Sequence, residues 1–94
     1  MRTLNFVSKE EEFHYEIDRN DTHKMLITVL LKEKLESKAL KSMVNPFLDK
    51  ADELRRAAES EARAGRFEDA VSTLEESTKN YIRAIRGAGV YIPG

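Results

Sequence analysis

The sequence predicts a mainly α fold: an antiparallel helical hairpin in the C-terminal half, one further helix before it, and a short N-terminal β-hairpin as a minor element. Three observations carry that expectation. Apolar residues recur at spacings of three and four from Phe47 to Ala62 and again from Phe67 to Ile85. Gly65 stands between the two runs, where a helix-ending turn needs it. The balance of 40% hydrophobic and 35% charged residues suits amphipathic helices with solvated outer faces. A chain of 94 residues has room for one small domain, 1–94, with one modest core.

In the N-terminal segment the pattern has period two. Leu4 and Phe6, then Phe13, Tyr15 and Ile17, alternate with polar residues between Thr3 and Ile17, which favours two short strands joined as a hairpin within residues 1–20. A helix opening at Ser8, with Glu11 three residues on as a capping box, is the competing reading. A lone hairpin is marginal in water, so it would lie on the helices or pair with another chain. Asn20-Asp21-Thr22 reads as a turn and cap that opens a buried helix over 22–36. In that helix Met25, Leu26, Val29 and Leu30, with Ile27 and Leu31 beside them, give an apolar surface wider than one stripe, more than a single helical hairpin can cover.

Residues 37–45 read as a connector or short helix carrying Leu40, Met43 and Val44. Asn45-Pro46 is expected to start the next helix, with Asn45 as N-cap and Pro46 at the first helical position, where its missing N–H costs nothing. That helix, 46–64, carries the narrow small-residue stripe Ala51, Ala58 and Ala62. The helix over 67–86 follows, with Glu68 and Asp69 early and Arg83 and Arg86 late, matching the helix dipole. A short turn between the two makes them antiparallel neighbours. Val90-Tyr91-Ile92, in the apolar tail 90–94, is expected to dock in the core or against a partner.

The run from Ala64 to Leu74 resembles the turn and second helix of a tetratricopeptide repeat, with Gly65, Phe67 and Ala70 in the Gly-x-aromatic-x-x-Ala pattern and Leu74 at a large apolar position. The likeness spans roughly residues 46–78 and implies one protein-binding helical hairpin. It departs at Glu61, where the family's first helix carries an aromatic, and in lacking a closing proline. No second copy of the pattern occurs, so an array is excluded by count. The hairpins of microtubule-interacting and transport domains are a more distant comparison with the same implication.

Sixteen basic and seventeen acidic side chains leave a net charge of −1, so no global field attracts a phosphate backbone, and nucleic acid is not the expected partner. The arginines of the first hairpin helix, Arg55, Arg56 and Arg63, interleave with Glu53, Glu59 and Glu61 at helical spacings, as in a solvated face. The absence of cysteine removes thiolate chemistry and disulfides. Met25–Leu31, the longest uncharged run, is too short to cross a bilayer, and no secretory h-region follows Met1–Asn5, so a cytoplasmic location without membrane attachment is expected.

The densest polar cluster surrounds His14. On a strand, Glu12, His14 and Glu16 would share one face and offer a divalent metal three ligands, although their spacing matches no closed site and a solvated face is the simpler reading. No serine stands in a nucleophile context, and Gly87-Ala88-Gly89 follows a helix, the wrong end for cradling phosphate. The expectation is therefore a protein that is not an enzyme and has no cofactor: a protein-interaction or assembly module, self-associating as a twofold dimer through Met25, Leu26, Val29, Leu30, Val90, Tyr91 and Ile92. The alternatives are a metal- or ligand-binding accessory protein using the His14 cluster, and a regulatory subunit of an enzyme whose chemistry lies in another chain.

Overall fold

Ser8 opens the first helix. Its Oγ accepts a hydrogen bond from the Glu11 amide at 3.2 Å, and Glu10, Glu11 and Glu12 set negative charge against the first turn. In the computed structural model, which describes residues 7–34 and 38–89, helix α1 then runs from Lys9 to Lys34 without interruption. The expected β-hairpin is corrected here. Residues 9–17 are helical, no strand occurs among the described residues, and the first expected strand, at Leu4 and Phe6, lies outside them. The reason is which residues the core takes: Phe13, Glu16, Asn20 and Ile27 are buried at helical spacings, whereas Tyr15, which the alternation grouped with Phe13, is 41% exposed.

Asn20-Asp21-Thr22 is likewise no turn. Asn20 points into the core and bonds the other two helices, Asp21 accepts from Arg55 of the second helix, and the Thr22 hydroxyl donates to the Asp18 carbonyl at 2.9 Å, so side chains that resembled a cap find partners without ending the helix.

Helix α2 covers Lys38–Arg63 and passes through Pro46. The expected start at Asn45-Pro46 is corrected by packing: Leu40, Val44, Phe47, Leu48 and Ala51 continue one apolar face across the proline, and Val44 is fully buried. Keeping that face helical outweighs the loss of one backbone donor, a cost of about 3 kcal/mol in a helix interior. The end falls where the glycine predicts. Gly65 has φ 81, its N–H reaches the Ala62 carbonyl at 2.9 Å, and the Arg66 N–H reaches the Glu61 carbonyl at 2.9 Å, the double closure of a Schellman turn. Helix α3, Phe67–Gly87, follows at once, one residue longer than expected.

The central helix is α3, and both others pack on it. Antiparallel to it runs α2, and the full burial of Ala51 and Ala58 lets the two backbones approach closely. Parallel to it, at a nearly constant offset, lies α1: Phe13 clusters with Val71, Asn20 bonds Ser77 and Thr78, and Ile27 clusters with Ile85. One apolar cluster joins Phe13, Ala58, Ala70, Val71 and Leu74 near the α2–α3 turn, and another joins Ile27, Val44, Ala51, Tyr81 and Ile85 at the far end. Each large aliphatic side chain fully buried there, such as Leu74 or Ile85, contributes about 1.5–3 kcal/mol. The expected tail, Val90 to Ile92, lies outside the described residues.

Candidate functional site

Because α1 touches the core along one narrow face, its opposite side is open. Ile27 is buried, and at 3.6 residues per turn Met25 and Val29 lie within about 20° of diametrically opposite it. Met25 is 62% exposed, Val29 57% and Leu26 37%. The sequence-predicted docking residues Met25, Leu26 and Val29 are thus brought together on one surface. The side chain of Leu30 and all of Val90, Tyr91 and Ile92 lie outside the described residues. Among the described side chains of this apolar set, Ile27 is buried against α3 and Met25, Leu26 and Val29 are exposed within one chain.

The His14 cluster does not assemble. Two residues on a helix are about 200° apart, so Glu12 and Glu16 turn away from His14. Exposed His14 sits 3.9 Å from Glu10, while Glu16, 8% exposed, lies in the α1–α3 seam with Arg19 3.5 Å from its Oε2. Burial pushes the Glu16 carboxyl pKa above the ordinary range; Arg19 opposes that shift, and Glu75 and Glu12 reinforce it. Among the described residues, no group of three or more His, Cys, Asp or Glu side chains is placed to hold a metal ion.

A buried polar network at the middle of the molecule was not legible as such. Asn20, fully buried, donates from Nδ2 to Ser77 Oγ at 3.1 Å and Thr78 Oγ1 at 2.9 Å, and its Oδ1 accepts from Arg55 Nη1 at 2.8 Å. Arg55 also bonds Asp21 at 2.6 Å and Glu59 at 3.2 Å. Burial works against its charge, but these carboxylates outweigh burial and hold its pKa above the ordinary value. Ser77 Oγ donates in turn to the Ala51 carbonyl at 2.6 Å, so the hydroxyl hydrogen is engaged and no base activates it. Tyr81 donates to Asp52; burial and then that carboxylate push the phenol pKa upward, keeping the proton on oxygen. The network ties three helices together and offers no nucleophile. The signal in the sequence was Asn20 at core spacing between Phe13 and Ile27; that it faces the hydroxyl pair Ser77 and Thr78 on α3 is visible only in the fold.

Two surface concavities flank it. A 240 Å³ notch is lined by Asp21, Lys24, Asp52, Arg55, Arg56 and Glu59, three acids and three bases whose charges cancel. A shallow 380 Å³ groove between α1 and α2 has Phe13, Ile17, Ala62 and Phe67 among its lining, with Glu10, His14, Glu59 and Arg63 alongside. No described helix is long and apolar enough to cross a membrane. Comparisons of the chain with protein-family models, with curated proteins and with solved structures found no match.

Proposed function

We propose that this chain is a non-catalytic protein-interaction or assembly module, self-associating, whose docking surface is the outer face of α1. One observation carries the reading: Met25, Leu26 and Val29 form a contiguous apolar patch on a helix whose inner face is already committed to α3. Single exposed apolar residues are ordinary, but three within five positions, beside two further leucines in the sequence, mark a surface that gains free energy when covered. The satisfied polar network supports the same class, because it rigidifies the helix that presents the patch and leaves no reactive group. The likeness of Gly65, Phe67 and Ala70 to a tetratricopeptide hairpin also points to protein binding.

The test is a photo-crosslinking amino acid at position 29 in living cells, compared with one at Lys79 on the charged outer side of α3. Adducts above the monomer mass from position 29 and none from position 79 are expected. Equal labelling from both positions, or none from 29, would remove the reading.

A further inference from the structure

The groove between the first turns of α1 and the last turns of α2 is an apolar surface separate from the outer face of α1. Its floor is the half-buried Ile17, Ala62 and Phe67 beside the remaining edge of Phe13, whose ring lies 5.9 Å from that of Phe67. Charge selects no occupant there. Glu10 and Glu59 balance Arg55 and Arg63, Arg55 already bonds Glu59, and His14 lies 3.9 Å from Glu10. What the floor fits is a narrow apolar segment.

We propose that residues 3–6 of the same chain lie in this groove as an extended strap running antiparallel to α1, with Phe6 against Phe13 and Phe67 and Leu4 against Ile17 and Ala62.

Reach favours this segment. Residues 1–6 lie outside the described residues, directly before Val7, and Ser8 caps α1 less than one turn from Glu10 in the groove lining. Along the helix axis Phe13 stands about 7.5 Å and Ile17 about 13.5 Å beyond Ser8. An extended chain folded back at Ser8 carries Phe6 up to about 7 Å and Leu4 up to about 14 Å along the same path, so each comes level with its partner.

Alternation gives the register. In an extended strap every second side chain shares a face, so Leu4 and Phe6 both turn to the floor while Thr3 and Asn5 turn to solvent. The two apolar side chains stand about 7 Å apart, close to the separation of about 6 Å between Phe13 and Ile17 along α1. The period-two pattern at Leu4 and Phe6 then has a surface to cover without a β-hairpin. Tethering favours this segment over a separate chain, since a short link presents it to the groove at an effective concentration of roughly millimolar.

Nuclear Overhauser contacts in the full chain test this, with samples mixed from labelled and unlabelled copies to separate contacts within one chain from contacts between two. Contacts from the Leu4 methyls to Ile17 and from the Phe6 ring to Phe67 are expected within one chain. Leu4→Asp combined with Phe6→Asp should abolish them and shift the signals of Ile17 and Phe67, while those of Ile85 at the far end stay fixed. Absence of any contact between Leu4 or Phe6 and the groove overturns the proposal. Contacts found only between copies give the groove to a second copy and overturn it as well. Groove signals indifferent to the double substitution leave the floor to a different protein, with the same consequence. Leu4 against Phe67 together with Phe6 against Ile17 overturns the stated direction.

Discussion

Replacing Asn20 by alanine should be the most damaging single polar substitution in this molecule. The side chain is fully buried and makes three hydrogen bonds, two donated to α3 hydroxyls and one accepted from Arg55 on α2. Each intramolecular hydrogen bond is worth about 0.5–1.5 kcal/mol net, so removing three costs about 2–4 kcal/mol. The loss is not larger because Arg55 keeps Asp21 and Glu59, and Ser77 keeps the Ala51 carbonyl. A domain of this size holds about 5–15 kcal/mol in total, so the substitution removes a large share. Urea unfolding followed by circular dichroism should show a midpoint lowered by about 1 M or more. Thr78→Val on its own should cost about 1 kcal/mol, and the double substitution less than the sum, because both remove the same bond. A loss below about 0.5 kcal/mol for Asn20→Ala, or strict additivity with Thr78→Val, would refute the assignment of this network as the tie between α1 and α3.

Three further outcomes follow from single positions. Glu16 titrates with a folded pKa above its ordinary 4.5, so its stabilising contribution is full below that value and is lost as pH rises through the raised one. Glu16→Gln should therefore be more stable than the parent at neutral pH and flatten stability against pH, which unfolding at several pH values measures. Gly65→Ala should cost about 1 kcal/mol, from backbone strain alone, because φ is 81 and nothing lies within 4 Å of the added Cβ. Pro46→Ala should stabilise by about 1–3 kcal/mol in thermal or urea unfolding, since an exposed helix-interior proline is replaced by a residue that restores a backbone donor.

The C-terminal hairpin was legible because its signals agree: apolar spacing, the glycine at the turn and the charge gradient of α3 all specify the same two helices, and the structure ends α2 and begins α3 where they indicate. The N-terminal half misled where local signals compete with packing. Phe13, Tyr15 and Ile17 fit period two, whereas a helix keeps only Phe13 and Ile17 on one face and turns Tyr15 away; the deciding term is burial of Phe13, Asn20 and Ile27 against α3, a long-range contact with no local trace. Pro46 and the Asn20-Asp21-Thr22 cluster are residue types that usually end or start helices, yet Val44 and Asn20 carry enough packing and hydrogen bonding to override them. The exposed apolar patch was legible as an excess of apolar surface around Met25. Which side of the helix it occupies was not, because that depends on where α3 lies.

Methyl NMR of the intact protein over a range of its own concentrations tests the docking face most directly. Signals of Met25, Leu26 and Val29 should shift progressively as concentration rises, while those of Val71, Leu74 and Ile85 in the core stay fixed. Concentration-independent spectra, or shifts confined to residues away from α1, would contradict a self-docking outer face of that helix.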